Sequence, residues 1–376
     1  MKKRLTIGID ISQIVYQTGV SRYTVQLVKN LLKVDPENRY VFYAGSLRLR
    51  SVIRSFYAEI KQRRTRLVLT PFSPLLADWW WNRLRLFPIE TLTGPLDVFH
   101  SSDWTQPKAR AAKVTTIHDL TAIKFPKTHH PRVVRVHRRR LQLVKKECQL
   151  VITDSQATKK DLINLGFDPQ KIRVVYLAAS DDFKPVKDKS KIAAVLRRYG
   201  IKRNFVFNVG TLQPRKNLPR LIKAFKLLQR QHPHLQLVIS GQFGWGEKVK
   251  PVENVVLTGF VPDQDLAVLY SAASCFVYPS LYEGFGLPVL EALSCGCPVI
   301  TSNLSSLPEV AGDAALLVDP RRPAKIAEAI HRLLSQPTLR KKLSEKALSQ
   351  AKRFSWEKTA RQTLQVYQEA LHTPGV

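Results

Sequence analysis

Short apolar runs rich in Val, Ile and Phe alternate with helix-like segments almost from end to end of this chain, and they do so in two successive series. In the first series the runs are L-T-I-G-I-D, Y-V-F-Y-A, R-L-V-L-T, D-V-F-H-S, V-T-T-I-H, L-V-I-T-D and I-R-V-V-Y. In the second they are F-V-F-N-V, L-Q-L-V-I-S, V-V-L-T-G, C-F-V-Y-P, P-V-I-T and A-A-L-L-V. Such alternation predicts parallel strands covered by helices, an α/β fold class. Between the series, Ala179 to Lys191 is polar, contains Pro185 and has little to bury, so it reads as an inter-domain linker. The expected domains are 1–182 and 183–353, followed by a terminal segment, 354–376. Phe354 to Leu371 reads as a helix carrying Trp356, Leu364 and Tyr367. Two domains of similar size on a short linker imply a cleft, a common ligand position.

Composition bounds the partners. The chain has 376 residues, 44% of them hydrophobic, enough for two ordinary cores. It carries 60 Lys plus Arg against 29 Asp plus Glu, a formal net charge of +31. An excess of that size gathers anions, so nucleic acid, anionic lipid and phosphorylated small molecules are all candidate partners. The apolar run after Met1-Lys2-Lys3-Arg4 is broken by Asp10, which argues against a signal peptide. No run approaches the roughly 18–20 apolar residues that span a bilayer. The expected location is cytoplasmic, or peripheral on the cytoplasmic membrane face. Four scattered cysteines make no disulfide framework, and Cys295-Gly-Cys297 lacks the second ligand pair of a zinc site. Close packing of a helix end on a strand is the better reading of that pair.

Two motifs sit where strands turn into helices. After F-V-F-N-V the chain reads G-T-L-Q-P-R-K-N-L from Gly210 to Leu218. Gly210 lets the chain leave the strand, Pro214 stiffens the loop, and Arg215 and Lys216 lie just before a helix start. Alone, that turn suits a diphosphate and a solvated basic loop equally well. After C-F-V-Y-P comes E-G-F-G-L-P-V-L-E, with Glu283 and Glu291 eight positions apart. Gly286 and Pro288 mark the helix start, so backbone amides from Gly284 through Phe285 and Gly286 to Leu287 are placed for oxygen atoms of a ligand. Carboxylates suit hydroxyls better than phosphates, which assigns Glu291 to a ribose diol and Glu283 to a sugar. A plain acid pair complementing a helix dipole explains the acids but not the glycines. Together the motifs predict a nucleotide-sugar site.

G-T-L-Q-P-R-K-N-L, V-V-L-T-G-F-V, E-G-F-G-L-P-V-L-E and A-L-S-C-G-C-P-V-I resemble glycosyltransferase family 4, retaining enzymes with two Rossmann-like domains in the GT-B fold. G-V-S-R-Y, T-I-H-D-L, V-I-T-D-S and the closing F-S-W helix extend the resemblance over nearly the whole chain. It implies an N-terminal acceptor-binding domain, a C-terminal nucleotide-sugar-binding domain, and a last helix packing back on the first. It also implies residue roles. Gly19 would face the donor phosphate or the acceptor, Arg215 and Lys216 would neutralise the leaving diphosphate, and Thr258, Gly259, Phe260 and Val261 would hold the base. Glu291 would bind ribose, Glu283 with Phe285 and Gly286 the donor sugar, and His118, with Asp119 beside it, would approach that sugar from the first domain. His118 reads alternatively as a structural residue closing a strand. Many members carry Arg immediately after the glycine where this chain has Thr211, so Arg215 is expected to supply that charge.

No D-x-D pair ends a strand in either motif loop, and no metal or other cofactor is expected beyond the nucleoside-diphosphate sugar itself. The expected reaction moves a hexose, best matched by mannose from GDP-mannose, to a hydroxyl of a glycan or lipid-linked saccharide. Lys124 to Lys146 holds no acid at all, and with the basic stretch Arg48 to Arg66 and Trp79, Trp80 and Trp81 it suggests contact with anionic membrane. Core tryptophans beside a solvated basic helix are the other reading. Charge alone also allows a nucleic-acid-binding protein, although no nucleic-acid motif supports it, and a nucleotide-sugar-binding protein without catalysis remains a third possibility.

Overall fold

A computed structural model describes residues 4–16, 19–202, 204–242 and 252–373. Every run named above forms a strand. The first unit holds β1 (Thr6–Asp10), β2 (Arg39–Gly45), β3 (Thr65–Thr70), β4 (Val98–Ser101), β5 (Ala112–Ile117), β6 (Leu150–Thr153) and β7 (Ile172–Val174). These pair in the order β3-β2-β1-β4-β5-β6-β7, all in parallel. The second unit holds β8 (Phe205–Val209), β9 (Gln236–Ser240), β10 (Val255–Gly259), β11 (Cys275–Tyr278), β12 (Val299–Ser302) and β13 (Ala315–Val318). Their order is β10-β9-β8-β11-β12-β13, again all parallel. Strands such as β9 and β12 are buried along their whole length, which is why they read as unbroken apolar runs rather than alternating ones.

Each order reverses direction once, between β1 and β4 in the first sheet and between β8 and β11 in the second. Ligands of open α/β sheets bind beyond the carboxyl ends of the strands at such a reversal. In the second unit the helix Leu218–Leu228 brings Leu221, Phe225 and Leu228 onto Val206, Leu237 and Val277, and this packing fixes the loop that precedes it.

The chain divides between Leu177 and Ala178 and again between Ser355 and Trp356, the final segment returning to the first unit. The boundary thus lies a few residues ahead of 182. The polar stretch after it differs from a free linker. Phe183 is buried against Tyr270, Val186 donates its backbone N–H to Ser271, and Lys189 begins a helix capped by Asp188. Asp263 and Asp265, a D-x-D pair outside the motif loops, are not at a strand end. They open a helix, Asp263–Ala272, in which Asp265 is buried and pairs with Arg198 at 2.6 Å.

The helix Trp356–His372 is held in the first unit by polar contacts as well as packing. Tyr367 is fully buried and its hydroxyl lies 2.7 Å from His100 Nδ1, while His100 Nε2 lies 3.0 Å from Thr116 Oγ1. Burial, reinforced by the charges of His118 and Arg140, pushes His100 down to about 3, so the ring is neutral and exchanges hydrogen bonds with both hydroxyls. Thr359 Oγ1 adds a bond to the Tyr176 carbonyl at 2.7 Å.

The basic helix, Pro131–Glu147, buries Val134, Leu141 and Val144. Arg140 departs from the cationic face expected of it. It is 2% exposed and donates to Thr115 Oγ1 and the Thr116 carbonyl at 2.7 and 3.0 Å. The three tryptophans also separate, Trp79 being exposed, Trp80 half-buried and Trp81 buried.

Candidate active site

The donor residues expected from the sequence gather at the carboxyl edge of the second sheet. Gly210 and Thr211 follow β8, Thr258 and Gly259 end β10 with Phe260 and Val261 after them, and Glu283 to Leu287 follow β11. The first two loops are stitched together by the backbone. Gly210 N–H donates to Ser240 O at 3.0 Å and Gly241 N–H to Gly259 O at 2.8 Å. A Cβ on Gly241, at φ +135°, would stand 2.1 Å from the Gly210 carbonyl oxygen, so only glycine permits this approach. Phe260 is 58% exposed beside the end of β10, whereas Val261 is buried.

The two motif loops meet in one ion-paired cluster. Arg215 and Lys216 lie on a short turn, Pro214–Lys216, and Asn217 follows in a left-handed conformation. Asn217 Nδ2 donates to the carbonyls of Pro279 and Pro320 at 3.0 and 2.7 Å, tying that turn to the ends of β11 and β13. Leu281 N–H donates to the Arg215 carbonyl at 2.8 Å. Held this way, Arg215 Nη1 reaches Glu283 Oε2 at 2.6 Å and Lys216 Nζ reaches Glu283 Oε1 at 2.7 Å. Ser280 Oγ also donates to Oε1 at 2.7 Å, and Lys216 donates to the Tyr278 hydroxyl.

Burial alone would push the Glu283 carboxyl up, but the charges of Arg215 and Lys216 with the Lys216 and Ser280 hydrogen bonds overcome it and hold the group at about 2. Glu283 is therefore an anion at every physiological pH. One carboxylate between two cations leaves surplus positive charge at the strand ends, suited to an incoming diphosphate. Arg215, Lys216 and Ser280 thus take most of the carboxylate's four lone-pair sites.

The loop from Glu283 onward is fixed by serines. Ser306 Oγ donates to the Glu283 and Phe285 carbonyls at 3.0 and 2.8 Å, and Glu283 N–H donates to Ser305 Oγ at 3.1 Å. Gly286, at φ +108°, caps the helix Leu287–Ser294, and a Cβ there would meet Leu307 at 2.7 Å. Glu291 lies inside that helix, buried, and accepts from the Tyr270 hydroxyl at 3.0 Å. Burial and the neighbouring Glu291 charge keep the Tyr270 phenol protonated.

The first sheet carries the remaining predicted residues. Gly19 is the first residue of the helix Gly19–Val34, and a Cβ there would meet nothing within 4 Å. His118 follows β5, and its Nδ1 lies 2.7 Å from Asp154 Oδ2 at the end of β6. The Tyr23 ring and the imidazole pack in a T-shaped arrangement at a centroid distance of 4.5 Å. Burial disfavours the imidazolium, but the Asp154 charge and hydrogen bond outweigh it and raise the His118 pKa above its ordinary 6.5. Asp119 turns away, accepting from the Thr121 N–H at 2.7 Å.

Sequence reasoning passed over Asp154, Asn217, Tyr278, Ser280, Ser305 and Ser306. The V-I-T-D-S segment offered a signal for Asp154, a carboxylate ending a strand like those beside it. Among the described residues no group of three or more His, Cys, Asp or Glu side chains is placed to hold a metal ion. All four cysteines are buried and unbridged.

Two doubly wound units, with paired cations and a carboxylate at the second unit's strand-order reversal, define the GT-B class of glycosyltransferases. Comparison with known proteins gives the same class. Residues 192–350 match the family described as glycosyl transferases group 1, and residues 17–183 match glycosyltransferase family 4. The chain is 33% identical over 368 residues to the O-antigen chain mannosyltransferase B of Escherichia coli, covering 93% of this chain and 96% of that one. It is 30% identical over 310 residues to a D-inositol 3-phosphate glycosyltransferase of Acidothermus cellulolyticus, covering 74% and 68%. Among solved structures, sucrose-phosphate synthase of Thermosynechococcus elongatus superposes with a TM-score of 0.72 at 19% identity, over 99% of this chain and 100% of that one. The chain belongs to the group 1 glycosyltransferases and is a hexosyltransferase.

The His118–Asp154 pair makes a prediction about proton affinity. Titration followed through the His118 ring protons by NMR should give a pKa above 6.5, and Asp154→Asn should lower it below the parent value because the strongest charge opposing burial is then gone, leaving only the more weakly acting Asp103 and Asp119. An unchanged pKa in that variant would show that Asp154 does not hold the proton.

Proposed function

We propose that the chain transfers mannose from GDP-mannose, with retention, to a hydroxyl of a glycan or lipid-linked saccharide. The observation that carries this reading is the Arg215–Glu283–Lys216 cluster at the strand-order reversal of the second sheet. Mannose is favoured because the relative matched over nearly its whole length is named a mannosyltransferase. Glu291 and the end of β10 serve the nucleoside, and Glu283 accepts one hydroxyl of the sugar.

The bond between the anomeric carbon and the β-phosphate oxygen breaks as the acceptor oxygen bonds to that carbon from the same face. The acceptor's proton passes to the departing phosphate oxygen, and the products are a glycoside and a nucleoside diphosphate. Arg215 and Lys216 stabilise charge that grows on the leaving group, a contribution larger in the transition state than in the ground state. Glu283, already clamped by both cations, positions them and does not act as a covalent nucleophile. His118, oriented by Asp154, offers Nε2 to the donor sugar. The fixed cations supply the electrostatics that a metal would otherwise provide.

With GDP-mannose as donor, Lys216→Ala should lower turnover by roughly 100-fold, the scale for one preorganised charge, with circular dichroism unchanged. EDTA should leave the parent enzyme's rate intact. Near-normal turnover of the variant removes Lys216 from the mechanism. Loss of activity in chelator with rescue by Mg²⁺ refutes the metal-free reading, and turnover of UDP-glucose in preference to GDP-mannose overturns the donor assignment.

We further propose that the first unit rests on anionic membrane. Leu75, Leu76 and Trp79 are exposed, and with Arg83, Arg132, Arg135 and Arg139 they border a cavity of about 460 Å³. Leu84 and Leu86 are exposed nearby in sequence. Apolar side chains ringed by arginines suit the boundary between headgroups and acyl chains. Binding to vesicles of acidic phospholipid should fall steeply with salt, since the attraction is screened over about 8 Å at physiological ionic strength. Replacing Arg83, Arg132 and Arg135 together by Gln should release the protein while GDP binding persists. Vesicle binding unchanged in that variant, or absent from the parent, contradicts membrane docking.

A further inference from the structure

Tyr278 closes β11, and its side chain ends at the ion-paired cluster of the second unit. The residue is 1% exposed, which leaves no surface for a substrate. Its neighbours fix it on two sides. The ring stacks on Phe276, two positions back on the same face of the strand, at a centroid distance of 5.6 Å and an interplanar angle of 22°. Tyr278 also pairs with Thr301 in the parallel ladder, and Thr301 Oγ1 donates to its carbonyl at 2.9 Å. A phenol oxygen carried by such a residue is a fixed point.

Lys216 needs a fixed point of that kind. Its ammonium is a compact charge at the end of a flexible four-carbon stem, and it is buried among the loops. The stem passes Gly210, where a Cβ would stand 3.4 Å from Lys216 Cε. Glu283 Oε1 accepts from Nζ at 2.7 Å, and the Tyr278 hydroxyl accepts from it as well. The centroid of the Tyr278 ring lies 4.8 Å from Nζ, beyond the hydroxyl, so the oxygen rather than the π face makes the contact. Burial and then the Glu283 charge keep the phenol protonated, its pKa well above the ordinary 10. A protonated phenol accepts at oxygen while its own proton serves another group, here the Glu283 carboxylate. Lys216, Tyr278 and Glu283 thus close a ring of donors and acceptors.

We propose that Tyr278 is a positioning residue of the transfer, its hydroxyl holding the Lys216 ammonium where charge grows on the leaving diphosphate. It acts through Lys216 and touches neither donor nor acceptor. A cation already in place stabilises the transition state without reorganising, and a misplacement of about 1 Å costs on the order of 100-fold. Without the hydroxyl the ammonium keeps Glu283 Oε1, an oxygen it shares with Ser280, and gains freedom on its stem. The role in turnover rests on the transferase reading, whereas the grip on Lys216 is measurable without it.

Tyr278→Phe keeps the ring and removes only the oxygen. Assayed with GDP-mannose and, in parallel, UDP-glucose, that variant should lose about tenfold in kcat, the scale of one hydrogen bond to a charged group, while KM for the donor stays within about twofold. In a Lys216→Ala background the same substitution should cost nothing further, because a residue acting only through Lys216 then has nothing to position. Nitrogen NMR of the lysine ammonium groups gives a readout free of turnover. The Lys216 signal, identified by its loss in Lys216→Ala, should show proton exchange at least about tenfold faster in Tyr278→Phe than in the parent. Full kcat in Tyr278→Phe, equal losses in both backgrounds, a rise in KM alone, or ammonium exchange as fast in the parent as in the variant overturns the proposal. If the parent turns over neither donor, the transferase reading fails, and the exchange rate by itself decides whether Tyr278 holds Lys216.

Discussion

A carboxylate buried between two cations governs the second unit. Glu283 is 7% exposed and Lys216 8% exposed, so neither charge would be tolerated there alone. Desolvation of such a pair is costly, and removing one partner leaves the other charge uncompensated. The arrangement therefore demands that the loops after β8 and β11 stay in register, and much of the local architecture serves that demand. Asn217 ties one loop to two carbonyls, Ser305 and Ser306 hold the other, and the Leu221–Phe225–Leu228 face anchors the intervening helix. The resulting surplus of positive charge is preorganised, and it needs no reorganisation when negative charge develops on a leaving diphosphate.

The first unit places its polar groups by the same device of burial with a specific partner, but with different consequences. His100 is held neutral between Tyr367 and Thr116, which makes it a fastener for the last helix. His118 follows the neighbouring strand, and there Asp154 raises its proton affinity. The two histidines thus shift in opposite directions, burial pushing His100 down and the Asp154 carboxylate raising His118 against its own burial. Arg140 is the third member of this buried polar layer, and its guanidinium reaches the same strand through Thr115 and the Thr116 carbonyl.

The strands were legible because strands buried on both faces appear as unbroken apolar runs, and the two motif loops because glycine, proline and charge cluster there. What joins them was not legible. Lys216 and Glu283 stand 67 positions apart and His118 and Asp154 stand 36 apart, distances over which sequence gives no pairing rule. Glu283 was read as a sugar ligand, yet most of its hydrogen-bonding capacity goes to Arg215, Lys216 and Ser280. Arg140 was placed on the cationic surface because it lies within an arginine run, and only the hydroxyl and carbonyl opposite it explain its burial.

Arg215, Glu283 and Lys216 act as one unit, and a double-mutant cycle across Glu283 and Lys216 tests that most directly. GDP affinity and turnover of GDP-mannose would be measured for Glu283→Gln, Lys216→Ala and the double variant, alongside the parent. If Glu283 works by holding the cations, the double variant should lose little more than Lys216→Ala alone, because groups acting together are far from additive. Losses that multiply would show that the two residues act independently, and would contradict the central claim.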